Sequence, residues 1–293
     1  MNKLPTEKRA QILSMLVVGS SMRSISRVAG VSINTVTKLL IDAGEACAEY
    51  HDLHVRNVEA GRVQCDEIWS FCYAKQKNVA NAKAAPSEAG DVWTWTALDA
   101  DSKLIVSYLV GGRDSAYANE FVQDVADRLA SRVQLTTDGH KAYLEAVEGA
   151  FGADVDYAQL VKLYGEAPEG AKGRFSPAEC TGTRKRTVEG KPSEEHISTS
   201  YVERVNLNIR MGNRRFTRLM NAFSKKIDNH IHMLVLYFLH NNFCRIHEST
   251  KVTPAMAAGV TETLHDMEWI VSLIDARAPK AGPRGPYKKG IGE

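Results

Sequence analysis

The feature that most limits how this chain can fold is the run of residues 63–73. It is short, rich in aromatic and β-prone residues and apolar on both alternating sets of positions, which is typical of a central strand. Asp66 lies in its middle, and a lone acid inside an apolar strand is costly to bury unless it is paired or bound to a metal. Glu67 is predicted to point to the opposite face, so it would not be a ligand if Asp66 is the one that binds a metal.

The elements that follow this strand predict an α/β domain. Residues 92–99 and 104–110 are two more strands joined by a hairpin signal, 116–131 keeps the helical period, and 133–137 is a short strand. Three strands in a meander, a helix and a further strand indicate a sheet with flanking helices.

Asp138 follows the strand at 133–137 directly and has two interpretations. A carboxylate where a strand enters a loop lies where α/β folds place their ligands. The alternative is local, since Asp138 could cap a helix over residues 140–148.

Glu203 is an acid on a predicted helix that otherwise carries bases. Helical spacing places it on one face with Leu207, Arg210 and Arg214, with Asn206 beside them. Ser200-x-x-Glu203 matches a capping box, in which the Glu would bond the first free amides of the helix. The other explanation is a metal-bound carboxylate that works beside phosphate-binding arginines.

The start of the chain follows a helix-turn-helix plan. Residues 22–29 predict a short helix, Gly30 a turn, and Ser32 the cap of a second helix. Any small three-helix packing unit would show the same pattern. If the plan is a DNA-binding one, the side chains that face the groove are Asn34, Thr35, Thr37 and Lys38.

Charge distribution says more about partners than net charge does, because the net charge is only +2. Residues 204–226 contain seven Arg and Lys residues and no acid, which suits a polyanion, although a solvated helix face is the commoner meaning of such a run. The five cysteines are scattered without a C-x-x-C pair, which excludes a zinc ribbon and favours a reducing, cytosolic setting. We expect no signal peptide and no membrane span.

Composition and pattern together predict the following division of the chain. The segments are 1–46 as a helix-turn-helix domain, 47–62 as a linker, 63–257 as an α/β domain with a long loop at about 165–198, and 258–293 as a C-terminal segment ending in a basic, disordered tail.

Three motifs in this order resemble a known family. Cys65-Asp-Glu-Ile-Trp69, Thr137-Asp-Gly139 and Tyr201-Val-Glu-Arg-Val-Asn-Leu-Asn-Ile-Arg210, behind a helix-turn-helix, are similar to those of bacterial insertion-sequence transposases of the Asp-Asp-Glu type, and resemble the insertion-sequence-one family most. The resemblance covers residues 7–257 or so. It implies a ribonuclease-H-like catalytic core with a mixed sheet and flanking helices, preceded by an all-α helix-turn-helix domain.

The resemblance also implies a chemistry and a set of partners. Asp66, Asp138 and Glu203 would be catalytic and would bind two Mg²⁺ ions, with Mn²⁺ as a substitute, for cleavage and joining of phosphodiesters. The partner would be double-stranded DNA, bound by a homo-oligomer that brings two ends together, with no membrane and no small-molecule substrate. The backbone contacts would come from Arg204, Asn206, Arg210, Arg214 and Arg215.

Two other functions stay open at this point. A DNA-binding regulator with an inactive core would need only the helix-turn-helix. A ribonuclease-H-like nuclease would use the same metal site to cut without joining.

Overall fold

The computed structural model describes residues 3–165, 180–216 and 222–278, in which a single mixed sheet is flanked by helices. The strands are β1 Arg62–Cys72, β2 Gly90–Asp99, β3 Ile105–Gly111, β4 Gln134–Asp138, β5 Asp156–Tyr164 and β6 Cys180–Glu189. The helices are α1 Thr6–Val17, α2 Met22–Ala29, α3 Ile33–His54, α4 Ser115–Arg128, α5 Ala142–Phe151, α6 Ser200–Gly212, α7 Ile227–Phe243, α8 Pro254–Ala257 and α9 Met267–Arg277.

In the ranges given above, the sheet has six strands in the order β3-β2-β1-β4-β5-β6. Strands β1 to β3 form the expected antiparallel meander, whereas β4 runs parallel to β1 and β5 parallel to β4. Strand β6 closes the other edge antiparallel to β5. The mixed α/β fold predicted from the sequence is therefore present.

The pairing of β1 with β4 brings two predicted acids near each other. Cys65 is the partner of Thr137 in this parallel register. Asp66 and Asp138 are the next residues of the two strands, and β4 ends at Asp138. Neighbouring parallel strands thus carry both carboxylates to the same region of the sheet.

Helices cover both faces of the sheet, because alternate residues of β1 contact different helices. Gln64 and Asp66 bond to residues of α6, and Ser70 bonds to His230 of α7. Glu67 on the other face bonds to Tyr143 of α5. On that face the fully buried Trp95 packs against Phe121 of α4 and against Tyr143.

The predicted loop over 165–198 is wrong in its second part. Residues Cys180–Glu189 form β6, an edge strand that pairs with β5 along its length. Most of its side chains are exposed, so it lacks the apolar alternation that reveals a half-buried strand. Its bases also suit an edge strand, since charge there opposes pairing with other chains. Residues 166–179 of the predicted loop lie outside the described part.

The N-terminal helices α2 and α3 begin where the sequence predicts, and the Ser32 hydroxyl accepts a hydrogen bond from the Thr35 amide at the start of α3. The predicted boundary at residue 46 falls inside α3, which continues to His54 and packs against α7 and α9. Apolar residues recur along α3 past the predicted boundary, and this continuity explains the long helix. That residues 1–46 form a separate domain stays a prediction.

The C-terminal segment contributes α9 to the structure. This helix packs on α1 and α3, and Asp275 receives a bidentate pair from the buried Arg9 of α1 at 2.6 and 2.9 Å. The predicted disordered tail, 279–293, lies outside the described residues. In the described ranges no helix is long and apolar enough to cross a membrane.

Candidate functional site

Three carboxylates converge where β1 and β4 lie side by side. One oxygen from each of Asp66, Glu67 and Asp138 lies within 4.8 Å of the others. Glu67 leaves the strand on the opposite face from Asp66, as predicted, yet one of its oxygens belongs to this cluster. Strand alternation sets the direction of each Cα–Cβ bond, but the long Glu67 side chain still places an oxygen within the cluster.

The third predicted acid, Glu203, lines the same cavity of about 700 Å³ as Asp66 and Asp138. It is not a member of the close cluster. Its side chain accepts a hydrogen bond from the Thr199 hydroxyl and lies 2.7 Å from Nζ of Lys162 on β5. The structure therefore brings the predicted acids to one cavity, with Glu203 on its α6 side.

The capping-box explanation of Glu203 is not supported by the helix start. The residue before the first turn of α6 is Thr199, and its side chain makes no capping hydrogen bond. The first amides are satisfied from elsewhere, because Oε1 of Gln64 accepts from the amides of Tyr201 and Val202 at 2.9 and 3.1 Å. Glu203 is thus left to face the cavity.

Crowded acids and burial change the protonation of Asp66. Burial raises its pKa to about 7, with further upward contributions from the charges of Glu67, Asp138 and Glu203. The pKa of Glu67 is also raised by burial and by Asp138, and is partly restored by its bonds to Arg113 and Tyr143. The site therefore carries more negative charge than the protein compensates.

Two cations offset part of this charge. Arg113 donates to Oε1 of Glu67 at 2.7 Å, lies 3.8 Å from Oδ2 of Asp138, and stacks over Trp93 with 4.6 Å to the ring centroid. Lys162 neutralises Glu203 on the other side of the cavity. Both cations line the cavity. Arg113 partly neutralises Glu67 and Asp138, and Lys162 partly neutralises Glu203.

The donor set fits a divalent metal. Carboxylate oxygens are the ligands that Mg²⁺ and Mn²⁺ prefer, and Mg²⁺ usually keeps water and phosphate oxygens in its remaining positions. The cavity leaves room for such ligands. A cation among these oxygens would also relieve the repulsion that raises the pKa of Asp66.

The residues predicted to contact DNA occupy different environments. Asn206 is only 8% exposed and its amide donates to Oδ2 of Asp66 at 2.8 Å, so it orients a carboxylate. Lys38 is exposed and paired with Asp42 at 2.6 Å. DNA binding by these residues stays a prediction. Asn34, Arg204 and Arg214 are exposed, and Thr35, Thr37, Arg210 and Arg215 are half-buried.

Sequence reasoning missed three residues of the site: Glu67, Arg113 and Lys162. Arg113 follows Gly111-Gly112 at the end of β3, and a base just past a strand end was the available signal. Lys162 lies in β5, a strand that was not predicted. Recognising 156–164 as a strand would have placed this lysine beside the predicted acids.

Comparisons with known proteins add little. No protein-family model matches the chain, and no curated protein matches it either. One solved structure found to be similar is the cryo-EM structure of the piggyBac transposase synaptic complex with hairpin DNA. It has 10% sequence identity and a TM-score of 0.35, over 96% of this chain and 74% of that chain. A likeness this weak carries no argument, and the resemblance to a transposase family stays an expectation from the sequence motifs.

Proposed function

We propose that this protein is a transposase that binds the ends of a mobile DNA element and catalyses metal-dependent 3′-end cleavage and strand transfer. One observation carries the proposal: Asp66, Asp138 and Glu203, chosen from the sequence as a set, line a single cavity. Each acid alone has an ordinary structural explanation. Their convergence from β1, β4 and α6 supports a common chemical role.

Asp66, Asp138 and Glu203 would hold two Mg²⁺ ions, for which Mn²⁺ is a substitute, and Glu67 would add charge beside them. When bound, such ions activate a water or a 3′-hydroxyl and stabilise the leaving oxygen of a phosphodiester. Asn206 orients Asp66 through its 2.8 Å hydrogen bond. Since water or a 3′-hydroxyl would be the nucleophile, no covalent link between protein and DNA is needed.

Bases around the acids suit a polyanionic substrate. Arg113, Lys141 and Lys162 line the cavity together with the carboxylates. Positive groups there would hold backbone phosphates against the acidic centre. Binding of the element ends is assigned to the start of α3, and a homo-oligomer is proposed because transposition must bring two DNA ends together.

The test is a cleavage and joining assay on a supercoiled plasmid that carries the DNA flanking this gene. It compares Mg²⁺, Mn²⁺ and chelator for the wild type and for Asp66→Asn, Asp138→Asn and Glu203→Gln. Glu145→Gln, an exposed acid on α5, is the matched control. We expect metal-dependent joined products that the control keeps and the three site variants lose.

Other outcomes of the same assay separate the remaining functions. Nicked but unjoined products would show that the protein is a nuclease and not a transposase. Specific DNA binding without cleavage under either metal would leave a DNA-binding regulator with an inactive core.

A further inference from the structure

A second cavity of about 770 Å³ lies between the N-terminal helices and the end of α6. Its walls include the α1–α2 turn, Ile33 at the start of α3, and residues just after α6. The walls approach closely, because a Cβ on Gly19, whose φ is +80°, would lie 2.9 Å from the carbonyl oxygen of Gly212. The cavity is therefore a defined cleft that joins the first helices to the helix carrying Glu203.

The charge of this cleft has one sign. The described residues that line it include four bases and no Asp or Glu. A cleft lined by one sign of charge concentrates the opposite ion. The bases are Arg23, Arg214, Arg215 and Lys225.

Arg215 is the base whose surroundings are most specific. Its Nε donates to the carbonyl of Asn229 at 3.3 Å, and its Nη2 lies 3.9 Å from Sδ of Met22. Within the described residues it forms no ion pair, and burial lowers its pKa to about 10. The guanidinium is thus charged at neutral pH and partly desolvated, and no carboxylate in the described part of the chain pairs with it.

Two buried donors without partners line the same cleft. Within the described residues, Nδ2 of Asn213 and Oγ of Ser224 have no hydrogen-bond partner, although these two residues are only 1% and 5% exposed. The orientation of the Asn213 amide is determined, because its Oδ1 accepts from the backbone amide of Arg215 at 3.2 Å. Native proteins rarely leave buried donors unpaired, so such a pair indicates a missing acceptor.

We propose that this cleft binds a backbone phosphate of DNA, which accepts hydrogen bonds from Arg215, Asn213 and Ser224. A tetrahedral oxyanion is the acceptor that suits a cation and neutral donors in a cleft whose described lining holds no acid. Naming DNA as the source of the phosphate rests on the proposed function, whereas the oxyanion site does not.

The position of the cleft favours a DNA phosphate over a free one. It opens beside the start of α3, where Asn34 and Lys38 are exposed. From there α6 leads back to Glu203, roughly 14 Å along the helix axis at about 1.5 Å per residue. That length corresponds to about four steps of a DNA strand at roughly 3.4 Å each. A strand of about five nucleotides is therefore long enough to span the distance from the cleft to Glu203.

The oxyanion site is tested by thermal unfolding of the full chain in chelator, in sodium phosphate and in sodium chloride at equal ionic strength. Ser224→Ala removes an unpartnered buried hydroxyl, so we expect a melting temperature equal to or above that of the wild type in chloride. In the wild type, phosphate should raise the melting temperature above its value in chloride. Ser224→Ala should largely lose this phosphate increment. Thr94→Val is the matched control, since the Thr94 hydroxyl is also buried and unpartnered but lies away from the cleft. It should keep the full increment.

The source of the phosphate is tested by fluorescence anisotropy with a labelled 30-base-pair duplex in chelator over a range of NaCl concentrations. Arg215→Gln should weaken binding several-fold and reduce the slope of log K against log salt by about 0.9, the value for one phosphate contact. Ser224→Ala should weaken binding at every salt concentration. Arg132→Gln removes an arginine paired with Asp156 outside the cleft and should leave the slope unchanged.

The outcomes separate this inference from the proposed function. An unchanged phosphate increment in Ser224→Ala, or an unchanged salt slope in Arg215→Gln with DNA still bound, would overturn the phosphate site and leave the transposase proposal standing. A phosphate increment that is lost in Ser224→Ala while the wild type binds no duplex would overturn DNA as the source. A lost phosphate increment in Ser224→Ala together with a reduced salt slope in Arg215→Gln would support the phosphate site, even if the protein cleaves no DNA.

Discussion

The side-chain amide of Asn206 donates a 2.8 Å hydrogen bond to Oδ2 of Asp66 and so joins α6 to the central strand of the sheet. A second attachment lies one turn earlier, where Gln64 accepts from the amides of Tyr201 and Val202. Glu203 lies between these two attachments. Its position opposite Asp66 is therefore determined mainly by contacts that its own carboxylate does not make.

Replacing Asn206 with Ala should lower metal-dependent cleavage about 10- to 100-fold, as for other groups that orient metal ligands. DNA affinity in chelator should change little, because Asn206 is buried. Asn208→Ala, on another face of the same helix, is the control. Equal cleavage by the two variants would show that the bond to Asp66 does not matter for activity.

The raised pKa of Asp66 predicts how stability depends on pH in the absence of metal. The pKa of Asp66 in the folded state, about 7, exceeds its ordinary value of 3.8. The folded state therefore keeps this proton to a higher pH than the unfolded state does. Its contribution to stability is therefore favourable at low pH and falls as pH rises from about 4 to about 7. Asp66→Asn should raise the free energy of unfolding at pH 8 by roughly 2 to 4 kcal/mol, at about 1.4 kcal/mol per unit.

Urea unfolding of Asp66→Asn and the wild type at pH 8 and pH 4 in chelator checks this sign. The difference in the free energy of unfolding between variant and wild type should nearly vanish at pH 4. There the folded wild type carries a protonated Asp66, which is as uncharged as the Asn of the variant. A variant that is less stable than the wild type at pH 8 would contradict the prediction.

Arg113 should stabilise the fold chiefly through Glu67. The Glu67 side chain is only 1% exposed, and Arg113 donates to it at 2.7 Å. Arg113→Ala leaves that charge buried without its cation, which typically costs about 3 kcal/mol. Chemical denaturation should show this loss, and Glu67→Gln in the same chain should restore most of it. If the double variant is no more stable than Arg113→Ala, the arginine acts through other contacts, such as the one with Trp93.

Lys162 should compete with metal for Glu203. Its Nζ lies 2.7 Å from Oε2, and both side chains are about one-third exposed, at 33% and 37%. Lys162→Met should therefore change the free energy of unfolding by less than about 1 kcal/mol. Mn²⁺ affinity, followed by isothermal titration calorimetry, should rise several-fold because a competing cation is removed.

Lys185→Met on the neighbouring strand β6 is the control for this titration. Lys185 donates to the carbonyl of Glu194 and has no contact with the acids of the cavity. Weaker Mn²⁺ binding in Lys162→Met than in this control would indicate that Lys162 supports the metal site.

Local patterns predicted most elements and the order of the three acids. Residues 116–131 keep the helical period, the strand containing Asp66 is rich in aromatic and β-prone residues, and Ser32 caps α3 as its position predicts. Strands β5 and β6 were missed because half or more of their side chains are at least partly exposed, so apolar alternation is weak. Their absence from the prediction hid Lys162.

The sequence by itself determined which side chains are available for chemistry: acids at 66, 138 and 203 on separate, recognisable elements. Only the tertiary structure decided how they meet. The parallel register of β1 and β4 places Asp66 near Asp138, and the Glu67 side chain brings a fourth acid within 4.8 Å of both. The register of these strands and the approach of these side chains depend on contacts between distant segments of the chain. No local periodicity encodes such contacts.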